Sequence, residues 1–306
     1  MLTLLRPVLA LIVLAALLTG CTSTSATPRS DLPAGGVLIE PAELAATLNS
    51  PNAPLILDAR NETDFLTSRL PGARRLDMSA LGKLAREKAF DDTAAWHARF
   101  GQLGLSGADQ SVVVYDAGGM TTASSAWFFF QQFGLTNVRV LNGGFKHWPA
   151  ATLVTGPAEV PVATNFTPPA SPARPFVLNE TKADLKAAVA SRDAKTKVLD
   201  VRSRDEYAGK ELMSNTRGGH LPGAINLPHA DLMTDGLVKP RAELRAMFAA
   251  AGLRPGDRIV THCQGGGRAS LGALALIHAG YGSVANYYMS FGEWAADESC
   301  PVELPE

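Results

Sequence analysis

The sequence predicts an α/β protein of two tandem copies of one domain, each a parallel sheet with helices on both faces. Segments recur in the same order, apolar strands alternate with helical stretches, and a glycine-rich turn joins a strand to a helix. Leu57-Asp58-Ala59-Arg60 returns as Leu199-Asp200-Val201-Arg202, and Leu70-Pro71-Gly72-Ala73 returns as Leu221-Pro222-Gly223-Ala224. Gly144-Phe145-Lys146-His147-Trp148 returns as Ser290-Phe291-Gly292-Glu293-Trp294, and the offsets run from 142 to 151 residues. Offsets of that length mark duplication of a whole domain rather than a short-period solenoid. Strands such as Leu55-Ile56-Leu57 and Val198-Leu199 are spaced by helical stretches such as Ala242–Ala251 and Ala269–Ala279. That alternation is the pattern of a parallel sheet, whose ligand sites lie at the carboxyl ends of its strands.

Taken from the start, residues 1–20 read as a targeting segment: Arg6 is a weak positive region, and Pro7–Leu18 is apolar but short for a bilayer. Leu18-Thr19-Gly20-Cys21 resembles a bacterial lipobox, which implies that Cys21 is lipidated and becomes the first mature residue. Thr22 is not the aspartate that retains enteric lipoproteins at the inner membrane, so the expected location is the outer membrane, facing the periplasm. Plain secretion with cleavage near Ala26, or a Gram-positive cell surface, is the alternative. Residues 21–36, rich in Ser, Thr, Pro and Gly, read as a flexible tether, 37–155 as the first domain, 156–176 as a linker and 177–300 as the second domain.

Composition narrows the partners. Lys and Arg number 28 against 29 Asp and Glu, a formal net charge of −1. No basic stripe is present, which argues against nucleic acid. The three cysteines, Cys21, Cys263 and Cys300, do not form a disulfide framework. A monomer is expected.

The chemistry concentrates in Arg258-Ile259-Val260-Thr261-His262-Cys263-Gln264-Gly265-Gly266-Gly267-Arg268-Ala269-Ser270, where a β-branched strand ends on a cysteine and a glycine turn opens a helix. Consecutive glycines let backbone N–H groups curl into a nest, and the following helix adds the positive end of its dipole. Both favour a negative sulfur. A free thiol ionises only near pH ~8.5, and the thiolate is the nucleophile, so this is a site built for an activated cysteine. A buried strand-end cysteine is the plainer alternative. Four residues separate Cys263 from Arg268, one fewer than in the Cys-x5-Arg cradle of cysteine phosphatases, and a smaller ring suits a sulfur atom.

Cys263–Arg268, Leu199-Asp200-Val201-Arg202, Gly219-His220-Leu221-Pro222-Gly223-Ala224 and Phe291-Gly292-Glu293-Trp294 together resemble the rhodanese family of sulfurtransferases, over roughly residues 37–300. The resemblance implies that Cys263 takes a sulfane sulfur as a persulfide cradled by Gln264, Gly265, Gly266 and Gly267. The sulfur would come from thiosulfate or a similar anionic donor such as 3-mercaptopyruvate and go to cyanide or a thiol, without metal or organic cofactor. Arg268 is expected to pair with the donor, inclining the reading to a dianion such as thiosulfate. Arg217 aligns with an arginine that contacts the donor in tandem sulfurtransferases, with a plain surface arginine as the alternative. The loop matches neither the Cys-Gly-Ser-Gly-Val-Thr of mercaptopyruvate enzymes nor the Cys-Arg-Lys-Gly-Val-Thr of vertebrate-type thiosulfate enzymes. Two other classes stay open. One is a periplasmic sulfur-relay or persulfide-binding protein with a dedicated protein partner, marked by a patch beside Cys263. The other is an arsenate reductase or phosphatase relative, which the loop spacing opposes.

In the first copy Asp116 stands where the nucleophile should be and Thr121 where Arg268 should be, so that copy is expected to be catalytically silent. Arg202 with Glu206, and Arg60 with Asp64, are read as structural ion pairs four residues apart, and Arg202 is left out of the site. His220 is assigned to packing. His262 points to the face opposite Cys263 on a strand and is not expected to be a general base. Cys300 is read as a spectator thiol, with a resolving or disulfide partner for Cys263 as the alternative, and Trp148 and Trp294 as core anchors.

Overall fold

The computed structural model describes residues 35–305 apart from 89, 158–160, 171, 172 and 192. The targeting segment, Cys21 and nearly all of the expected tether therefore lie outside the described residues.

The first repeat runs β1 (Leu38–Ile39), α1 (Pro41–Thr47), β2 (Leu55–Asp58), α2 (Glu62–Thr67), β3 (Arg74–Arg75), α3 (Met78–Lys88), α4 (Thr93–Gln102), β4 (Val112–Tyr115), α5 (Thr121–Gln131) and β5 (Val138–Leu141). The second runs β6 (Val177–Asn179), α6 (Lys182–Ser191), β7 (Thr196–Asp200), α7 (Arg204–Tyr207) and β8 (Ile225–Asn226). It continues through a hairpin of β9 (Met233–Thr234) and β10 (Leu237–Val238), then α8 (Arg241–Ala250), β11 (Arg258–His262), α9 (Gly267–Ala279), β12 (Val284–Asn286) and α10 (Ser290–Ala296). The two five-stranded sheets have the orders β1-β5-β4-β2-β3 and β6-β12-β11-β7-β8, parallel throughout. The two sheets share one strand order, as the sequence repeats predict; between the third and fourth strands the first repeat inserts α3 and α4, and the second the β9–β10 hairpin and α8.

The strands form because their residues are apolar on both faces: Val112–Tyr115 is buried along its whole length, as a parallel strand covered on both sides must be. Each sheet has a private core on its outer face, holding Trp148 in the first domain and Trp294 in the second. A third core is shared and contains α5, with its run Trp127-Phe128-Phe129-Phe130, together with α9. These two helices are buried on nearly every side because they pack against each other between the domains. Tyr288 of the second domain stacks on Phe128 of the first, and Asn142 Oδ1 accepts the Val238 N–H at 2.9 Å across the same boundary.

The expected linker is tied down where it is described. Thr164 N–H donates to the Gly101 carbonyl at 3.0 Å, and a Cβ on Gly101 would stand 2.3 Å from the Thr164 oxygen, so the glycine lets the strap lie flat.

Two expected ion pairs are not made. Arg202 turns back to Asp200, with Nη2 to Oδ2 at 2.6 Å, and Arg60 does the same to Asp58 at 2.6 Å. Each arginine follows its strand directly, so its side chain reaches the last strand carboxylate before it can reach the next helix. Each guanidinium then lies over an aromatic ring, Arg202 at 3.9 Å from the centre of Phe291 and Arg60 at 3.7 Å from Phe145. Glu206 is thereby left to another partner.

Candidate active site

Cys263 follows β11 directly, in the middle of its sheet, and is buried. The chain turns sharply to enter α9 through Gly266, whose φ of 94° is left-handed. A Cβ there would stand 2.3 Å from the ring of Tyr288, so glycine is required twice over. The turn aims the Gly266 N–H at the Cys263 Sγ, 3.0 Å away. The amides of Gln264, Gly265, Gly267, Arg268 and Ala269 meet no acceptor among the described residues, so α9 opens with its positive end toward the sulfur.

The segment after β12 holds the loop from the other side. Phe291 N–H donates to the Cys263 carbonyl at 2.9 Å and Gly292 N–H to the Gln264 carbonyl at 3.0 Å. Ser290, left-handed at φ 60°, accepts the Cys263 N–H on its hydroxyl at 3.1 Å and keeps that hydroxyl 3.8 Å from Sγ. The Gln264 side chain exchanges two hydrogen bonds with Asn215, at 2.9 and 2.8 Å. Tyr288 walls the loop as a neutral phenol, pushed up to about 12 mainly by burial.

Arg268 is engaged. Its Nη1 and Nη2 donate to Glu206 Oε2 and Oε1 at 2.6 and 2.7 Å. Burial alone would raise the Glu206 carboxyl, but the hydrogen bonds from Arg268 and Ser203 outweigh it and hold the group below its ordinary value; the same Glu206 bond raises Arg268. Arg217 is engaged elsewhere too. Its guanidinium donates to the carbonyls of Trp294, Ala295, Asp297 and Cys300 at 2.6–3.1 Å, capping the end of α10 and pinning the tail.

His262 is fully buried, and burial first of all keeps it below its ordinary value, against the pull of Asp200, whose Oδ2 lies 3.5 Å from Nε2. A neutral imidazole under the loop agrees with a packing role. His220 stacks on Tyr207 with ring centres 3.7 Å apart. Cys300 is enclosed beside Trp294, and burial pushes its thiol up, away from thiolate chemistry.

The first copy shows what the loop does around an anion. Asp116 accepts from the N–H groups of Gly118, Met120, Thr122 and Ala123 at 2.9, 3.0, 3.1 and 3.2 Å. Its helix opens on left-handed Met120 and the second copy's on left-handed Gly266, with Ser124 and Ser270 each donating back to that residue. Aligned on these caps, the first copy's loop is one residue longer, and Thr122, not Thr121, stands where Arg268 does. Tyr115 occupies the place of His262 and hydrogen-bonds Asp58.

Sequence reasoning did not single out Glu206, Asn215 and Ser290 as parts of the site. Only Glu206 carried a signal: Ser203-x-x-Glu206 is a capping-box pattern that fixes the carboxylate at the start of α7, facing away from Arg202.

Comparison with known proteins agrees with this architecture. A model of the rhodanese-like domain matches residues 40–151 and again 181–297. The chain is similar to a thiosulfate sulfurtransferase of Azotobacter vinelandii, 29% identical over 276 residues, covering 88% of this chain and 97% of the relative. It is 30% identical over 251 residues to a 3-mercaptopyruvate sulfurtransferase of Escherichia coli K12, covering 78% of this chain and 85% of that one. The crystal structure of the 3-mercaptopyruvate sulfotransferase SseA from Escherichia coli superposes with a TM-score of 0.67 at 25% identity, over 83% of this chain and 98% of that one. A sulfur transferase subunit of yeast mitochondrial complex I gives 0.75 at 26%, over 88% and 99%. With both repeats matched and one complete cysteine loop at the carboxyl end of a parallel sheet, the chain belongs to the rhodanese family and is a tandem-domain sulfurtransferase.

Proposed function

We propose that Cys263 alone carries the sulfur, in a double displacement. The Cys263 thiolate attacks the outer sulfur of thiosulfate; an Sγ–S bond forms, the S–S bond to the sulfonate breaks, and sulfite leaves with the electron pair. Cyanide or a thiolate then attacks the outer sulfur of the persulfide, and the Cys263 thiolate departs. The observation that carries the reading is the Gly266 N–H aimed at Sγ at 3.0 Å, at the amino end of α9. The loop amides hold the persulfide without metal or cofactor. The test is mass spectrometry after exposure to thiosulfate. A gain of one sulfur on the peptide containing Cys263, absent in Cys263→Ser, is expected; sulfur on Cys300 would overturn it.

A protein acceptor is the second reading, and Leu212 and Met213 favour it. Both are large apolar side chains left exposed next to Asn215, which holds the active loop. We further propose attachment through lipidated Cys21, facing the periplasm, on the strength of Leu18-Thr19-Gly20-Cys21. Two or more acyl chains hold a protein lastingly, where one is marginal. An unmodified mature terminus beginning beyond Cys21 would remove this proposal.

A further inference from the structure

Arg268 presents half of a neutral pair to the sulfur. Both terminal nitrogens lie fork to fork on Glu206, whose side chain is 3% exposed against 22% for Arg268. Glu206 is fixed independently of the arginine. Its Oε2 accepts the Ser203 N–H at 3.0 Å and its own N–H donates to the Ser203 hydroxyl at 3.1 Å, closing the capping box of α7. The more exposed arginine is therefore the partner free to re-aim, and the carboxylate is what restrains it. The other candidate cation, Arg217, spends its donors on four carbonyls.

Apart from Arg268 itself, whose side chain lies beside Cys263 as well as Glu206, what a donor anion meets is backbone. The Asp116 carboxylate in the first copy marks which amides converge, and on the cap alignment their counterparts in the second copy include Gly266, Arg268 and Ala269. A nest of dipoles suits one negative sulfur. A dianion carrying a sulfonate beside that sulfur asks for a full positive charge, which Glu206 cancels.

We propose that Glu206 is a specificity-determining residue: by holding Arg268 it biases the sulfur-loading step toward monoanionic donors of the 3-mercaptopyruvate class and against the thiosulfate dianion. This rests on Cys263 being the sulfur carrier. With such a donor the Cys263 thiolate attacks the donor sulfur and the carbon–sulfur bond breaks. The electron pair goes to carbon as an enolate, which takes up the proton that the thiol gives up.

The experiment compares kcat/KM for thiosulfate and 3-mercaptopyruvate, cyanide being the acceptor, in wild type and Glu206→Gln. Glutamine keeps the volume and the capping box but drops the charge. The expected result is a rise of about tenfold in the thiosulfate to mercaptopyruvate ratio, the scale of one charge-assisted contact, and its disappearance in Glu206→Gln/Arg268→Gln. An unchanged ratio, or an equal fall for both donors, overturns the proposal and leaves Glu206 as scaffolding. Should the variant not fold, salt on the wild type decides. A thiosulfate KM no steeper in ionic strength than that for mercaptopyruvate supports a neutralised Arg268, and a markedly steeper one overturns it. Mass spectrometry separates the underlying reading: sulfur absent from Cys263 with both donors overturns the carrier itself, whatever the ratio.

Discussion

Asp116 and Cys263 occupy the same point of two copies of one fold, and the Asp116 carboxylate gathers four loop amides of the kind that face a sulfur in the other copy. The first domain is a permanently filled version of the cradle. Its anion is covalently attached, so the loop pays no binding cost.

Replacing Asp116 by Ala leaves those four donors without their acceptor in a largely enclosed turn. We expect a loss of about 2–4 kcal/mol, since bonds to a charged acceptor contribute ~1.5–3 kcal/mol and water recovers part. Urea unfolding measures it. Asp116→Cys, in a loop one residue longer and without an arginine, should accept no sulfur from thiosulfate in a Cys263→Ser background.

Gly266→Ala and Gly265→Ala should behave oppositely. The first places a Cβ 2.3 Å from Tyr288 at a left-handed φ, and must move the N–H that faces Sγ. Activity should fall about 100-fold, as when one preorganised donor is lost. A Cβ on Gly265 meets nothing within 4 Å, so its melting temperature should match wild type.

Arg217→Ala should destabilise the chain by about 2–4 kcal/mol through the loss of several carbonyl contacts, yet leave the thiosulfate KM in place. A KM rise of tenfold with unchanged stability would return Arg217 to the donor site.

Acid should weaken the link between Arg268 and Glu206. Glu206 is held below its ordinary 4.5 in the folded chain, so its contribution is fully present above that pH and is lost as pH falls through the lower folded value. The stability difference between wild type and Glu206→Gln should therefore be constant near neutrality and shrink below pH 4.5, as read by urea titrations at several pH values.

Short-range physics made much of this molecule legible in its sequence. Apolar strands, helical stretches and the duplicated turns specify the two parallel sheets, and Cys263 followed by Gln264 and three glycines specifies an anion-holding turn wherever it is placed. Asp116 in the matching position puts a carboxylate in place of the thiol on the same local grounds. What the chain order does not contain is the choice of partners among charges. Arg202 takes Asp200 rather than Glu206, and Glu206 takes Arg268, 62 positions away. Arg217 takes four carbonyls at the end of α10. The extra residue of the first copy's loop is visible only once both helix caps are in place, and the pairing of α5 with α9 exists only when two domains share a core. A long cationic side chain can reach many acceptors; the one it meets is set by which strand ends and helix starts the packed fold brings within about 3 Å, the reach of a hydrogen bond.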